Sequence, residues 1–506
     1  MRPTQATAVP FTPRGFNPGA PTPLYRQLYD AVRAAILDGQ LPAGARLPAT
    51  RVLAVDLGLS RTTVLTAMAQ LLAEGYVEGK RGSGTCVARV LPDAALHIGR
   101  TPAGVGPSSS ATGRTLSRRG QLLATASLGP SRDAGVARAF RPGVPALDLF
   151  PWKTWLAIEE RLLRRLSGAL RLYDNPAGYR PLRQAVADYL GAARAVRCEA
   201  DQVIVVAGSQ QALDLVARVL LDPGDAVWVE EPGYAGATGA LAAAGARVVP
   251  VPVDAEGLDV AAGRQRCAAA RLAYVTPSHQ YPLGMTMSLG RRLALLRWAS
   301  DAEAWVVEDD YDSEYRYTGR PLAALQGLDT EGRVIYTGTF SKVLFPALRL
   351  GYLVAPTDLA DAFARAKALT DRGSPVLEQA VVADFLAEGH FGRHIRRMRA
   401  LYGERQATLV RAARESLAGA LDVPAQECGM HLVGWLLAAT DDRQVSEEAA
   451  RHGVEAPPLS AFGLDACPTP GLVLGYASFD EQQIALGVDR LARTLEAVRR
   501  GRCAWW

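Results

Sequence analysis

Cysteine is scarce in this 506-residue chain. The six, at 86, 198, 267, 428, 467 and 503, are scattered and form no Cys-x-x-Cys pair. Such scatter supplies neither a zinc cage nor a disulfide framework, so no metal centre and reduced thiols are expected. Long apolar runs are missing too: charges or turn residues interrupt every hydrophobic stretch, which excludes a membrane-spanning helix. The first residues lack a charged head followed by an apolar stretch, so no secretory signal is expected and the chain is read as cytoplasmic. Acidic residues are thin at one end. Residues 1–120 hold six Asp/Glu against 14 Lys/Arg, while the remainder holds 45 against 42. A basic amino-terminal module on a mildly acidic body suits a polyanionic partner, although an incidental basic face gives the same count. What is present is 49 % hydrophobic and 21 % charged residues, the balance of a globular protein long enough for two or three domains.

Residues 1–22 are rich in Pro, Gly and Thr and read as a flexible arm. From Pro23, Leu24, Leu28, Val32 and Ile36 recur every four residues, one apolar helical stripe. Gly39, Pro42 and Gly44 end it. A short helix over 47–58 closes on Gly58, and Ser60 caps a further helix to about Glu74. Two helices across a glycine turn make a helix-turn-helix. The second presents Arg61, Thr62 and Thr63 in its first turn, where they can meet bases or phosphates, and turns Val64, Ala67, Met68, Leu71 and Leu72 inward. Residues 75–87 read as a hairpin with the basic, glycine-rich tip Lys80-Arg81-Gly82-Ser83-Gly84, suited to a phosphate backbone. This order is a winged helix over 23–88. It resembles the GntR-type DNA-binding domain, which implies contacts to double-stranded operator DNA from Arg51, Ser60, Arg61, Thr62, Thr63, Lys80, Arg81, Gly82 and Ser83. Leu65 departs from the resemblance, because some members carry a further arginine there. Residues 89–137 read as a Pro/Gly/Ser/Ala/Arg-rich linker, with a helical turn at Asp93–Leu96 and with Arg114, Arg118 and Arg119 as solvated charges or weak DNA contacts.

Beyond Phe140, apolar runs alternate with helical stretches. Val203–Ala207, Ala226–Val229, Arg247–Val251, Leu272–Thr276, Trp305–Glu308, Arg333–Thr337 and Leu350–Val354 read as strands covered on both faces. Helices such as Gln211–Leu221 and Leu289–Ala299 lie between them, giving an α/β domain with a largely parallel sheet. From about Leu377 longer helices and a few strands suggest a smaller second domain, within a body of 138–506.

The chemistry gathers at strand ends, where open α/β sheets place ligands. Lys342 lies in Thr339-Phe340-Ser341-Lys342, with Arg349 seven residues on. A lysine amine can form a Schiff base with a phosphorylated aldehyde while hydroxyls and a guanidinium hold the phosphate. Alone, a Ser-Lys pair in a loop is more often just solvated surface. Upstream, Asp309 at a strand end is the type of group that keeps a pyridine nitrogen protonated. Gly208-Ser209-Gln210 opens a helix whose amides suit an anion. Tyr234 stands in a tight turn and can stack on a planar ring or simply anchor its loop. Tyr311 can donate to a ring hydroxyl, and the loop 276–284 adds polar and aromatic groups, Tyr281 among them.

Taken in order, Tyr173–Gly178, Gly208–Gln211, Glu231–Tyr234, Pro277–Gln280, Glu308–Glu314 and Ser341-Lys342 resemble a fold-type I aminotransferase over 140–506. With the winged helix in front, the chain resembles the MocR subfamily of GntR regulators along nearly its whole length. The resemblance implies pyridoxal 5'-phosphate as an aldimine on Lys342, Asp309 at the pyridine nitrogen, Tyr311 at the ring oxygen and Tyr234 stacked. Ser209, Gln210, Ser341 and Arg349 would hold the phosphate, and Tyr281 and Thr339 would also meet the cofactor. It also implies a head-to-tail, domain-swapped homodimer in which Tyr173 reaches the second copy's cofactor.

One element of working aminotransferases is missing. The segment that carries their carboxylate-clamping arginine is here Pro470–Tyr476 and has none, and the other clamp position is Gly236. The lost charge-assisted contact is worth roughly 1.5–3 kcal/mol; another arginine from elsewhere in the chain could fill the role, with His431 a weaker substitute. The expected function is therefore a DNA-binding regulator. Pyridoxal phosphate itself, in control of vitamin B6 synthesis, is the favoured effector, and a small amine is the alternative. A working aminotransferase tethered to DNA and a cofactor-free scaffold are the rival readings; intact Asp309, Tyr311 and Lys342 speak against the scaffold.

Overall fold

The computed structural model describes residues 16–80, 84–91, 115–125, 138–165, 175–319, 322–437, 440–465 and 469–503. They divide into two units, Met1–Arg114 and Thr115–Trp506. The expected turn at 93–96, the wing tip 81–83 and Tyr173 fall outside the described residues.

In the first unit, α1 (Leu24–Leu37), α2 (Thr50–Asp56) and α3 (Arg61–Ala73) precede the antiparallel pair β1 (Val77–Lys80) and β2 (Gly84–Val87). The four-residue stripe of α1 buries Leu28, Val32 and Ile36 against Val64, Ala67 and Leu71 of α3 and Val77 and Val87 of the hairpin. Gly58 takes φ +64°, the left-handed turn that lets α2 stop. Ser60 then starts α3, its hydroxyl accepting from the Thr63 amide at 3.1 Å. Leu72, expected inside, is 51 % exposed. The buried arc of α3 centres on Val64, Ala67 and Leu71, and Leu72 lies past its edge at Met68.

The second unit is built on an eight-stranded sheet in the order β3-β10-β9-β8-β7-β4-β5-β6. Its strands are β3 (Val203–Val206), β4 (Ala226–Glu231), β5 (Arg247–Asp254), β6 (Gly257–Leu258), β7 (Leu272–Val275), β8 (Trp305–Asp310), β9 (Val334–Thr339) and β10 (Gly351–Val354). The β5-β4-β7-β8-β9 run is parallel, while β10 opposes both its neighbours and the two-residue β6 opposes β5. All seven expected strands are present, and β8 continues through Asp310. Alternation assigns Val227, Val229, Tyr274, Val307 and Ile335 to one face and Trp228, Ala273, Val275, Val306 and Val334 to the other.

The helices of this unit begin with α4 (Arg118–Thr125), α5 (Trp152–Arg164), α6 (Arg180–Arg194), α7 (Ser209–Leu220) and α8 (Ala235–Ala243). They continue with α9 (Val260–Cys267), α10 (Leu289–Asp301), α11 (Leu325–Leu328) and α12 (Ala360–Asp371). The carboxyl-terminal part adds α13 (Val376–Ala387), α14 (His390–Ser416), α15 (Asp442–Arg451) and α16 (Glu481–Cys503) around the three-stranded sheet β11 (Leu421–Asp422), β12 (His431–Leu436) and β13 (Gly471–Gly475). Residues 139 and 140 join that part: the Glu455 amide donates to the Ala139 carbonyl at 2.8 Å and the Gly475 amide to the Phe140 carbonyl at 2.8 Å. Within the stretch read as linker, α4 packs on α8. With adjacent Leu122 and Leu123 both exposed, α4 has no apolar stripe by which periodicity would reveal it.

Candidate functional site

Three consecutive acids end β8, and strand alternation splits them. Glu308 and Asp310 turn to one face. There Glu308 accepts from the Leu325 and Gln326 amides at 2.8 and 2.9 Å, and Asp310 pairs with Arg194 at 2.8 Å. Asp309 turns to the other face and lines a cavity with Lys342, Ser209, Tyr234, Tyr281, Tyr311 and Thr339. Tyr274 donates to its carboxylate at 2.8 Å and Thr337 at 3.2 Å. Burial pushes Asp309 up to about 6, against the lowering effect of those two hydroxyls. Neither partner stood out in the sequence. Thr337 is the β9 residue directly beside Asp309, and Tyr274 projects from β7 on the same face.

Lys342 follows the end of β9, and its Nζ donates to the Gly143 carbonyl at 2.8 Å. A Cβ at Gly143 would lie 2.6 Å from that nitrogen, so only glycine permits the approach. This contact, made across 199 residues, carries no sequence signal.

The opposite chemistry gathers at the start of α7. The first amides of a helix have no intrahelical partner, so those of Ser209 and Gln210 face outward. The Arg349 guanidinium lies beside Gly208, 3.6 Å from where a Cβ would stand, exposed and without a hydrogen bond or ion pair among the described residues. Ser341 stands half-buried nearby in sequence, its amide bound to Thr339 Oγ1 at 3.1 Å. The Gln210 side chain serves the neighbouring turn instead. It donates to the Gly236 carbonyl at 2.9 Å and accepts from Tyr234 Oη at 3.4 Å, leaving only its amide for an anion.

Tyr311, His279 and Asp312 form a chain that the sequence did not announce. His279 Nδ1 is 3.0 Å from Asp312 Oδ1 and 2.9 Å from Tyr311 Oη. A carboxylate only accepts, so Nδ1 carries the proton and shares it between the two oxygens. The Tyr311 hydroxyl proton is then left to donate elsewhere. Burial and Asp312 hold that phenol well above its usual range, so the proton stays. His279, Asp312 and His431 could bring ligand atoms within 4.8 Å of one another. His279 Nδ1 is already shared by Asp312 and Tyr311, and His431 Nε2 lies 3.0 Å from the Pro282 carbonyl, so these groups form hydrogen-bond chains rather than a cage. Tyr281 is held by loop 276–284: Thr276 and Gln280 both donate to buried Glu230, at 2.5 and 3.2 Å, and burial pushes that acid up to about 7.

The residues present fit pyridoxal phosphate: amides and a guanidinium for a phosphate, a buried acid for a pyridine nitrogen, and a lysine for an aldehyde. On the first unit, Arg51, Ser60, Arg61 and Thr62 are exposed, while the Thr63 hydroxyl is 2.8 Å from Ser60 Oγ in the cap. Arg46 adds a cation at the wing base, its guanidinium beside Gly84. Leu65 is 46 % exposed on α3.

Residues 24–87 match the bacterial regulatory proteins of the gntR family, and residues 148–491 match aminotransferase class I and II. The chain is 45 % identical to the probable rhizopine catabolism regulatory protein MocR of Rhizobium meliloti, over 93 % of this chain and 94 % of that protein. It is 32 % identical to the pyridoxine biosynthesis regulator PdxR of Corynebacterium glutamicum, over 93 % and 96 %. Among solved structures, the α-aminoadipate aminotransferase LysN of Thermus thermophilus, complexed with N-(5'-phosphopyridoxyl)-L-leucine, is 32 % identical with a TM-score of 0.66, over 72 % of this chain and 92 % of that one. No helix among the described residues is long and apolar enough to cross a membrane. A gntR helix-turn-helix followed by an aminotransferase-like unit, shared almost end to end with such a relative, places this chain among the MocR-type transcriptional regulators of the gntR family.

Proposed function

We propose that the chain holds pyridoxal phosphate at Lys342 and turns the ligand state of that site into a change in operator binding, acting in the cytoplasm. The observation that carries this reading is one cavity lined by Asp309, Lys342 and the first residue of α7, with Arg349 beside Gly208. Arg349, Ser209, Ser341 and the α7 amides hold the phosphate, and Asp309 keeps the ring nitrogen protonated. Tyr311 donates to the ring oxygen and Tyr234 flanks the ring. The bound group supplies an electrophilic carbon for amines and a ring that withdraws electrons. Purified with pyridoxal phosphate, Lys342→Ala should lose the visible absorbance of the lysine-bound cofactor and keep its circular dichroism. Survival of that band would sink the assignment.

Two effectors suit this site. Pyridoxal phosphate itself, with control of vitamin B6 synthesis, draws support from the PdxR relative at 32 % identity. An amine arriving at the loaded site draws support from the MocR relative, named for a catabolic pathway, at 45 %. Operator binding measured cofactor-free, loaded, and loaded with amine separates them. In the first case loading alone changes affinity; in the second only the amine does. A homodimer that borrows Tyr173 from a second copy fits the exposed face of α5, where Trp152, Leu156 and Leu163 are 42, 59 and 43 % exposed. A working aminotransferase is the second reading, favoured by the likeness to LysN and by the intact Lys342 and Asp309. Turnover of a named amine to its carbonyl compound would establish it.

A further inference from the structure

The amine reading of the proposed function leaves open what else the ligand carries, and the cavity wall bears on that. Met430 and His431 line the cavity and are not among the residues proposed to hold the cofactor. Among the described lining residues Lys342 is the only cation, and Asp309 and Asp312 are both carboxylates.

A guanidinium has no place at either clamp position. At Gly236 a Cβ would stand 2.3 Å from the Tyr234 ring, so any longer side chain displaces that ring. Val473, in the other clamp segment, is fully buried and packs on Leu283, Leu459 and Phe462. Arg141, which precedes Gly143 by two residues, pairs with Glu455 at 2.6 Å.

His431 does not replace the missing cation. Its Nε2 lies 3.0 Å from the Pro282 carbonyl, and a carbonyl only accepts, so Nε2 carries the proton and Nδ1 is left as an acceptor. Burial and the neighbouring His279 push the ring down to about 3, so it is neutral at ordinary pH. With this ring neutral and no guanidinium at either clamp position, the wall offers a carboxylate no counter-charge, while Nδ1 accepts from an O–H or N–H.

We propose that the ligand is a primary amine without an α-carboxylate, bearing a hydroxyl or a second N–H that donates to His431. This rests on the reading that Lys342 holds pyridoxal phosphate and that an amine is the signal.

The test uses full-length, cofactor-loaded protein and three pairs of probes that differ only by the carboxylate: ethanolamine with serine, tyramine with tyrosine, and putrescine with ornithine. Each is titrated by the visible spectrum of the bound cofactor. In every pair the decarboxylated member should half-saturate the change at a concentration about tenfold lower or better. Equal or tighter response to the amino acids overturns the ligand class alone. If no cofactor spectrum develops on loading wild type, the cofactor reading falls and the ligand class falls with it. His431→Leu should load normally and lose about tenfold in response to ethanolamine. An unchanged response in that variant, with normal loading, removes His431 from the proposal.

Discussion

Asp309 shows how one residue's position in a strand decides its chemistry. Its two acidic neighbours are taken up by Arg194 and by the amides of α11, while Asp309 alone reaches the cavity. Its folded value of about 6 against an ordinary 3.8 fixes the direction of its pH dependence. The cofactor-free folded chain holds a proton there between about 4 and 6, so this group favours folding at low pH and loses that contribution as pH rises through 6. Binding a protonated ring nitrogen needs the ionised form. Affinity for pyridoxamine phosphate should therefore be full above pH 6 and fall by up to about tenfold per unit below it. Asp309→Asn should bind more weakly at pH 7 and lack that part of the slope. Calorimetric titration of both proteins between pH 5 and 8 checks this, and parallel profiles would remove Asp309 from the nitrogen.

Among the elements, α3 and α7 both expose helix starts, to different ends. The first turn of α3 depends on Ser60, whose hydroxyl satisfies the Thr63 amide. Ser60→Ala should cost about 1 kcal/mol, read as roughly fivefold faster amide exchange in α3 of the full chain, and Ser60→Gly only a few tenths. Equal exchange in the alanine variant would mean that the cap is idle. The start of α7 is left uncapped by any side chain, which suits the phosphate contact proposed for its amides. Both helices were legible: an N-cap or glycine followed by apolar periodicity marks each start. The linker helix α4 was not, because a short helix with adjacent exposed leucines carries no periodic signal. Leu72 was misplaced by the same method, since a stripe read from spacing alone does not say where its edge lies.

For the whole molecule, the basic first unit predicts salt-sensitive operator binding. Arg61 is exposed and in no ion pair among the described residues. Arg61→Ala should weaken operator binding and leave cofactor absorbance intact. If Arg61 meets a phosphate, the slope of log affinity against log salt should shrink by about 0.9 for one module on DNA and about 1.8 for a dimer. Wild-type affinity and slope in the variant would remove Arg61 from the interface.

Local order determined much of this protein by itself. Caps, turns and apolar periods were enough for a winged helix before an α/β body, because those signals act within a few residues, while the spacing of Asp309, Lys342 and Arg349 pointed to the proposed cofactor site once the order of all the motifs was read with it. Tertiary structure alone decided the rest. It brought Gly143 to Lys342, Tyr274 and Thr337 to Asp309, and His279 to Tyr311 and Asp312, contacts between residues 28 to 199 positions apart. It also closed both arginine positions and left His431 a neutral acceptor. Burial and strand register set those properties, and neither is written in the spacing of residues along the chain.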